Sequence, residues 1–211
     1  HDAAINIVRR ILQDTGVEVI HLGHNRSVQE IVDAAIEEDA QGIAVSSYQG
    51  GHIEFFKYLV DLLRERNASG IKVFGGGGGV IVPEEIHELE SYGVTKIYSP
   101  DDGTTLGLQG MINHMVQTMD FSTVNEDSFS FDGLSPQNKL AVANLISAAE
   151  LAKIQDNGNL AALRAEMTKE IADRTPPVIG ITGTGGAGKS SLTDEVILRI
   201  LHDFKNLHIA I

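Results

Sequence analysis

The apolar positions of this chain fall into helical-period stretches separated by short continuous runs. Ile5, Val8, Ile11 and Leu12 recur at helical spacing and the pattern stops at Gly16, which predicts an amphipathic helix. Val17-Glu18-Val19-Ile20 then reads as a strand. Ser27-Val28-Gln29-Glu30 has the form of a capping box, and Val28, Ile31, Val32, Ala35 and Ile36 share one face of the helix it opens. Gly42-Ile43-Ala44-Val45 predicts a short buried strand leading into Ser46-Ser47-Tyr48-Gln49-Gly50-Gly51-His52, and Phe56, Val60 and Leu63 mark a third helix. Ile71-Lys72-Val73-Phe74 predicts a strand that runs into five glycines, Gly75 to Gly79. Pro83 with Glu84 and Glu85 opens the next helix, because proline suits a first helical turn and carboxylates suit its dipole; that helix stops near Gly93. Thr95-Lys96-Ile97-Tyr98 is the last strand of the set. Leu108, Met111, Ile112, Met115, Val116 and Met119 stripe its closing helix, with the methionines read as core packing.

Helices and strands that alternate through short loops predict an α/β fold, a flavodoxin-like (Rossmann-like) doubly wound parallel sheet over residues 1–119. The chain opens on a helix, so a first strand is expected just before His1. The loops at His1, Ser46, Gly75 to Gly79 and Ser99-Pro100 would then all follow strands and line one sheet edge. Five glycines leave bare backbone at the carboxyl end of a strand, where open α/β sheets bind ligands. A flexible linker is the other reading of that run.

From Asp120 to about Asp132 the chain is polar and serine-rich. Ser135-Pro136 is expected to open a helix through Leu140, Ala143, Asn144 and Ser147, and a second helix to run from about Leu160 to Ala172. Residues 120–175 therefore read as a linker and helical connector that docks on one or both neighbours. Val178 to Thr182 predicts a strand, followed by Gly183-Thr184-Gly185-Gly186-Ala187-Gly188-Lys189-Ser190, a full match to the phosphate-cradling loop in its strand-to-helix context. Gly183, Gly185, Gly186, Ala187, Gly188 and Ser191 are candidates to hold phosphates, Lys189 to reach the terminal ones, and the Ser190 hydroxyl to ligate magnesium. The helix is expected to reach about Phe204 and Leu207 to Ile211 to be the next strand. Residues 176–211 thus predict the start of a P-loop NTPase domain.

Composition narrows the function classes. The 211 residues are 42% hydrophobic and carry a formal net charge of −13, with a pI of about 4.9. That balance excludes nonspecific binding to nucleic acid or acidic membranes. The absence of cysteine excludes a disulfide scaffold and thiolate-bound zinc. No apolar run approaches the roughly 18 residues of a membrane span. A start at His1 and an end in an apolar run at Ile211 suggest a fragment of a longer chain. His21 and His24 lack a nearby carboxylate set and read as shaping a loop; Asp101-Asp102-Gly103 reads as cap chemistry rather than an acid/base pair, and Glu37-Glu38-Asp39 as a solvated helix end.

His1-Asp2-Ala3-Ala4-Ile5, Ser46-Ser47-Tyr48 and Gly78-Gly79-Val80-Ile81-Val82-Pro83 together resemble the cobalamin-binding domain of the adenosylcobalamin-dependent acyl-CoA mutases. That family's signature runs Asp-x-His-x-x-Gly, Ser-x-Leu, Gly-Gly. Ala4 stands where the pattern has glycine and Tyr48 where it has leucine, while the signature's aspartate would fall two residues before His1. The resemblance implies that His1 ligates cobalt from below in place of the displaced dimethylbenzimidazole base. It implies that Ser46 bonds that base, that Gly78 and Gly79 give the nucleotide tail room, and that Asp2, Ala3, Tyr48 and Ser99 also meet the cofactor. A neutral imidazole is a good donor to a metal, tuned by what its other nitrogen bonds.

The cobalamin motif, His21-Leu22-Gly23-His24-Asn25-Arg26, the five glycines, Ser99 to Gly103 and the phosphate loop from Gly183 to Ser191 are similar, in that order, to a subgroup with a G-protein chaperone fused between cobalamin domain and substrate barrel. The resemblance covers essentially the whole chain. It implies part of a cytoplasmic, homodimeric isomerase that rearranges an isobutyryl-CoA or butyryl-CoA type of carbon skeleton through radicals. It also implies hydrolysis of GTP with Mg2+, and binding of acyl-CoA in a barrel outside these residues. Two other readings stay open: a cobalamin carrier or sensor coupled to a P-loop NTPase without catalysis, and a nucleotide-switched ATPase behind a receiver-like domain. A receiver should carry a phosphorylatable aspartate at a strand exit, where this chain offers Ser46, Gly75 and Ser99.

Overall fold

The computed structural model describes residues 2–48, 50–124, 131, 133–155, 159–173 and 175–211, with side chains from residue 4 onward. Helix α1 (Asp2–Asp14) ends where the pattern predicts, with Gly16 at φ +95°. Ser27 and Glu30 form the expected capping box of α2 (Val28–Glu37): the Ser27 amide donates to Glu30 Oε2 at 2.9 Å and the Glu30 amide donates to Ser27 Oγ at 3.2 Å. The Ser27 amide, then its hydroxyl and Arg26, hold the Glu30 carboxyl below the usual carboxylate range.

Strands β1 (Gly42–Ser46), β2 (Lys72–Gly76) and β3 (Lys96–Tyr98) form a parallel sheet in that order, with Ala44 opposite Phe74 and Phe74 opposite Lys96. Helix α3 (His52–Glu65) connects β1 to β2, and α4 (Pro83–Tyr92) connects β2 to β3. Helix α5 (Pro100–Met119) follows, broken at Gly107 by a φ of +65°. The helices group as α2 with α3 and α3 with α4, and separately α1 with α5. Phe56, Leu59, Phe74, Leu89, Ile97 and Ile112 are fully buried, and a parallel sheet with continuous apolar strands needs this covering. The methionine stripe is core where it touches the sheet: Met115 is buried and the Met119 thioether lies against Gly42.

Val17–Ile20 does not form the expected strand. It runs along the wall of a cavity beside β1, and among the described residues no strand pairs with it. An apolar run becomes a strand only when a neighbour accepts and supplies its backbone hydrogen bonds.

The chain divides into two compact units, residues 1–164 and 165–211, with the boundary inside α7 (Asn159–Glu170). In the first unit the connector helix α6 (Lys139–Gln155) packs on α2. Asp39, held at φ +47°, accepts from Asn144 Nδ2 at 2.8 Å and from Thr123 Oγ1 at 2.5 Å, and Lys139 pairs with Glu37. The acidic helix end is thus a docking point rather than a purely solvated one. Ser135-Pro136 forms a turn instead of opening α6; Asn138 caps it, its Oδ1 accepting from the Ala141 amide at 3.3 Å, as asparagine favours.

In the second unit α8 (Lys189–Asp203) forms as expected. The strands expected over Val178 to Thr182 and Leu207 to Ile211 do not. Val178, Ile179 and Ile211 are 93%, 77% and 97% exposed, and neither segment pairs with another among the described residues. The physical reason is the one that applies to Val17–Ile20. Among the described residues no helix is long and apolar enough to cross a membrane.

Two outcomes follow. Truncating the fully buried ring in Phe56→Ala should cost about 3–5 kcal/mol in urea unfolding. Tyr98 stacks on Phe74, bonds the Met111 carbonyl at 3.1 Å and lies 2.7 Å from His114 Nδ1; burial, then Asp102, pushes its phenol up to about 12. Its contribution to stability should be complete below the ordinary phenol value of about 10 and lost as pH rises through about 12, so tyrosinate absorbance should show a component titrating near 12 that Tyr98→Phe removes.

Candidate functional site

Parallel strands put their carboxyl ends on one edge, so the segments after Ser46, Gly76 and Tyr98 open together. Ser46 and Ser99 are half-buried there, and Tyr48, Gly78, Gly79 and Val80 are exposed. The Ser47 amide donates to the Gly76 carbonyl at 2.8 Å, tying the first two loops.

The five glycines do different work. A Cβ on Gly75 would come within 2.6 Å of the Phe56 ring and nearer still to the Ile97 methyl, and one on Gly77 would stand 2.8 Å from the Ser47 carbonyl. Both glycines are buried and serve the protein's own packing. Gly78 and Gly79 are exposed with φ of +54° and +90°, and the Tyr48 ring lies against Gly78. The backbone open to a ligand is therefore Gly78–Gly79, bounded by Tyr48 on one side and Pro100 on the other. Bare exposed main chain beside Ser46 and an aromatic ring fits a large flat group with a polar tail.

Ser99 spends its polar atoms locally. Its amide donates to Asp102 Oδ2 at 2.8 Å, its hydroxyl to the same oxygen at 3.0 Å, and the Asp102 amide donates back to Ser99 Oγ at 3.2 Å. Asp102 is thus a cap, as its turn chemistry predicts. Burial works against its charge, but the Ser99 amide and hydroxyl and then Lys96 hold its carboxyl below the usual range.

The sequence reading missed His52. It is buried at the start of α3, with Nε2 3.0 Å from Glu85 Oε2. That same oxygen accepts from the Val82 amide at 3.0 Å, so Glu85 caps α4 and reaches α3 together. The Val82 amide first, and then His52, hold the Glu85 carboxyl below the usual carboxylate range. The available signal was a histidine directly after Gly50-Gly51, in the first turn of a helix whose inner face is otherwise apolar.

Other expected positions lie beside this edge or outside the described residues. His21 and His24 are exposed in a segment where Arg26 Nε donates to the Leu22 carbonyl at 2.8 Å. They line a cavity of about 1560 Å³ whose walls include Leu12, Val17, Ile43, Val45 and Met115 and which reaches Ser46 and Tyr48 but not Gly78. Among the described residues no cluster of three histidines or carboxylates could hold a metal. His1 lies outside the described residues, as do the side chains of Asp2 and Ala3.

In the second unit Gly186 and Gly188 take φ of +76° and +78°, and Gly188 is the N-cap residue of α8. Lys189 Nζ donates to the carbonyls of Gly183 and Thr184 at 2.9 Å each. Gly185, Gly186, Ala187, Gly188, Ser190 and Ser191 are exposed around it, at the positive end of the α8 dipole. That arrangement suits an anion.

Gly78→Ala should place a left-handed alanine under Tyr48 and cost about 1–3 kcal/mol in thermal unfolding. Gly76→Ala, whose Cβ would meet nothing nearer than 3.9 Å, should cost less than Gly78→Ala.

Comparison with known proteins matches residues 1–108 to the B12 binding domain. The chain is 56% identical along its whole length to fused isobutyryl-CoA mutase of Geobacillus kaustophilus (strain HTA426), of which it spans 20%. Over 96% of its length it is 57% identical to the fused isobutyryl-CoA mutase of Cupriavidus metallidurans, of which it spans 18%. Over 48% of its length it is 34% identical to the 2-hydroxyisobutanoyl-CoA mutase small subunit of Aquincola tertiaricarbonis, covering 73% of that subunit. The chain therefore spans about one fifth of the length of its fused relatives.

Proposed function

Because the chain belongs to the B12-binding domain family as carried by acyl-CoA mutases, we propose that it is the cobalamin-binding part of an adenosylcobalamin-dependent mutase of the isobutyryl-CoA type, joined to its own G-protein chaperone. The observation that carries this reading is the 56% identity to fused isobutyryl-CoA mutase over the whole length of the chain. The proposed organisation is a cobalamin domain over residues 1–119, a connector over 120–175, and a GTPase portion over 176–211. The acyl-CoA barrel lies outside this chain, and the whole is a cytoplasmic homodimer.

When bound, adenosylcobalamin supplies homolysis of its cobalt–carbon bond and with it the radical chemistry. This chain's share would be positioning. His1 would hold the cobalt through a neutral imidazole nitrogen, with Asp2 and Ala3 next to it in the chain. Ser46 would offer its hydroxyl to the cofactor's base, Gly78–Gly79 would admit its tail against bare backbone, and Tyr48 and Ser99 would wall that slot. Lys189, which bonds the carbonyls of Gly183 and Thr184, would turn to the terminal phosphates of GTP, and Ser190 would hold Mg2+. The amides from Gly183 to Ser191 hold the remaining phosphate oxygens.

The visible spectrum of cobalamin mixed with the full-length protein tests this directly. A base-off, histidine-bound spectrum that His1→Ala abolishes is the expected outcome; cobalamin that stays base-on with the wild type overturns the reading. In the same protein Lys189→Ala should weaken GTP binding on the order of tenfold or more while leaving that spectrum intact. Unchanged nucleotide affinity removes the phosphate-loop assignment.

A further inference from the structure

Among the described residues His52 is the one buried polar or charged side chain. For folding alone this is a costly choice. An imidazole in the first turn of a helix sits at the positive end of the dipole, and a buried donor must keep its partner, whereas an apolar side chain of similar size would need none. What the polar pair adds is direction.

An ionised carboxylate only accepts, so the hydrogen lies on His52 Nε2 and is donated to Glu85 Oε2 at 3.0 Å. His52 directly follows Gly51, the left-handed N-cap of α3, where the loop from Ser47 ends. The same Glu85 oxygen takes the amide of Val82, the last residue of the loop from Gly77. One carboxylate oxygen therefore joins the far ends of the two loops. Their near ends are joined by the Ser47 amide on the Gly76 carbonyl and by the Tyr48 ring on Gly78.

We propose that the buried His52–Glu85 pair is a clasp that sets the separation of Gly50–Gly51 from the loop Gly77–Val82, which makes His52 a positioning residue for the cobalamin tail held between Ser46, Tyr48 and Gly78–Gly79. The proposal rests on the reading of that edge as the cobalamin site. Elsewhere α3 and α4 are held by separate ties: Lys57 pairs with Glu88, the Tyr92 hydroxyl donates to Asp61 at 2.8 Å, and Arg64 Nη2 donates to the Tyr92 carbonyl at 2.6 Å. Opening the clasp therefore leaves the two helices paired and frees only their loop ends.

The test uses the full-length protein with His52→Leu and with His52→Gln, whose amide N–H can stand near the place of Nε2. Cobalamin affinity, followed by the visible spectrum, should fall about tenfold in His52→Leu, the worth of one hydrogen bond to a charged group. His52→Gln should return it to within about threefold, with a melting temperature within a few degrees of wild type. The spectrum of the cobalamin that does bind should be unchanged, because affinity is altered and the lower ligand is not.

Equal affinity of wild type and His52→Leu overturns the clasp alone, and so does a folded His52→Gln that fails to rescue. A wild type that takes no cobalamin overturns the site reading and the clasp's purpose together. Should His52→Leu not fold, hydrogen–deuterium exchange on the wild type decides. Amides of Gly50–Gly51 and Gly77–Val82 that open as one unit support the clasp, and segments that open independently overturn it.

Discussion

The Phe56 ring and the Ile97 methyl occupy the space where a side chain on Gly75 would stand, and much of the first unit depends on that contact. It seats the Phe56 ring of α3 directly on β2 at Gly75. A seated α3 places its first turn beside the exit of β1, which is where Gly51 and His52 lie. From there the spacing of the two loops and the presentation of Gly78–Gly79 follow. A larger residue at position 75 would lift the helix and disturb an edge it never touches, because packed interiors transmit strain instead of absorbing it.

The acidic end of α2 has an equally mechanical role. Asp39 takes a left-handed conformation that asparagine and aspartate tolerate better than most residues. In doing so it turns its carboxylate toward Thr123 and Asn144. Two segments more than eighty positions away in sequence are thereby anchored to the sheet domain, with Gln41 and Lys72 meeting Phe121 nearby. The connector belongs to the first unit as far as Arg164, within α7.

Charge is distributed to match these tasks. The helices that begin at the site edge carry Glu84, Glu85, Asp101 and Asp102 in their first turns, where the helix dipole favours carboxylates. Glu85 is spent on the α4 cap and on His52, and Asp102 on the α5 cap, while Glu84 and Asp101 stay exposed. The phosphate loop shows the opposite arrangement, with no acid in the first turn of α8 and the Lys189 ammonium folded over its own carbonyls.

Interactions confined to one helical turn were legible from spacing. The Ser27–Glu30 box, the Ser99–Asp102 cap, the amphipathic faces and the phosphate loop each need only residues within a few positions of one another, so their pattern in the chain is already their geometry. Tertiary structure decided everything that requires a partner delivered from elsewhere. Val17–Ile20, Val178–Thr182 and Leu207–Ile211 have the apolar character of strands, but a strand exists only where another backbone meets it. The glycine run looked uniform until packing divided it into buried Gly75 and Gly77 and exposed Gly78 and Gly79. His52 and Glu85 stand 33 positions apart, and no local rule pairs them. Only the sheet, by setting two helix starts side by side, brings the imidazole to the carboxylate.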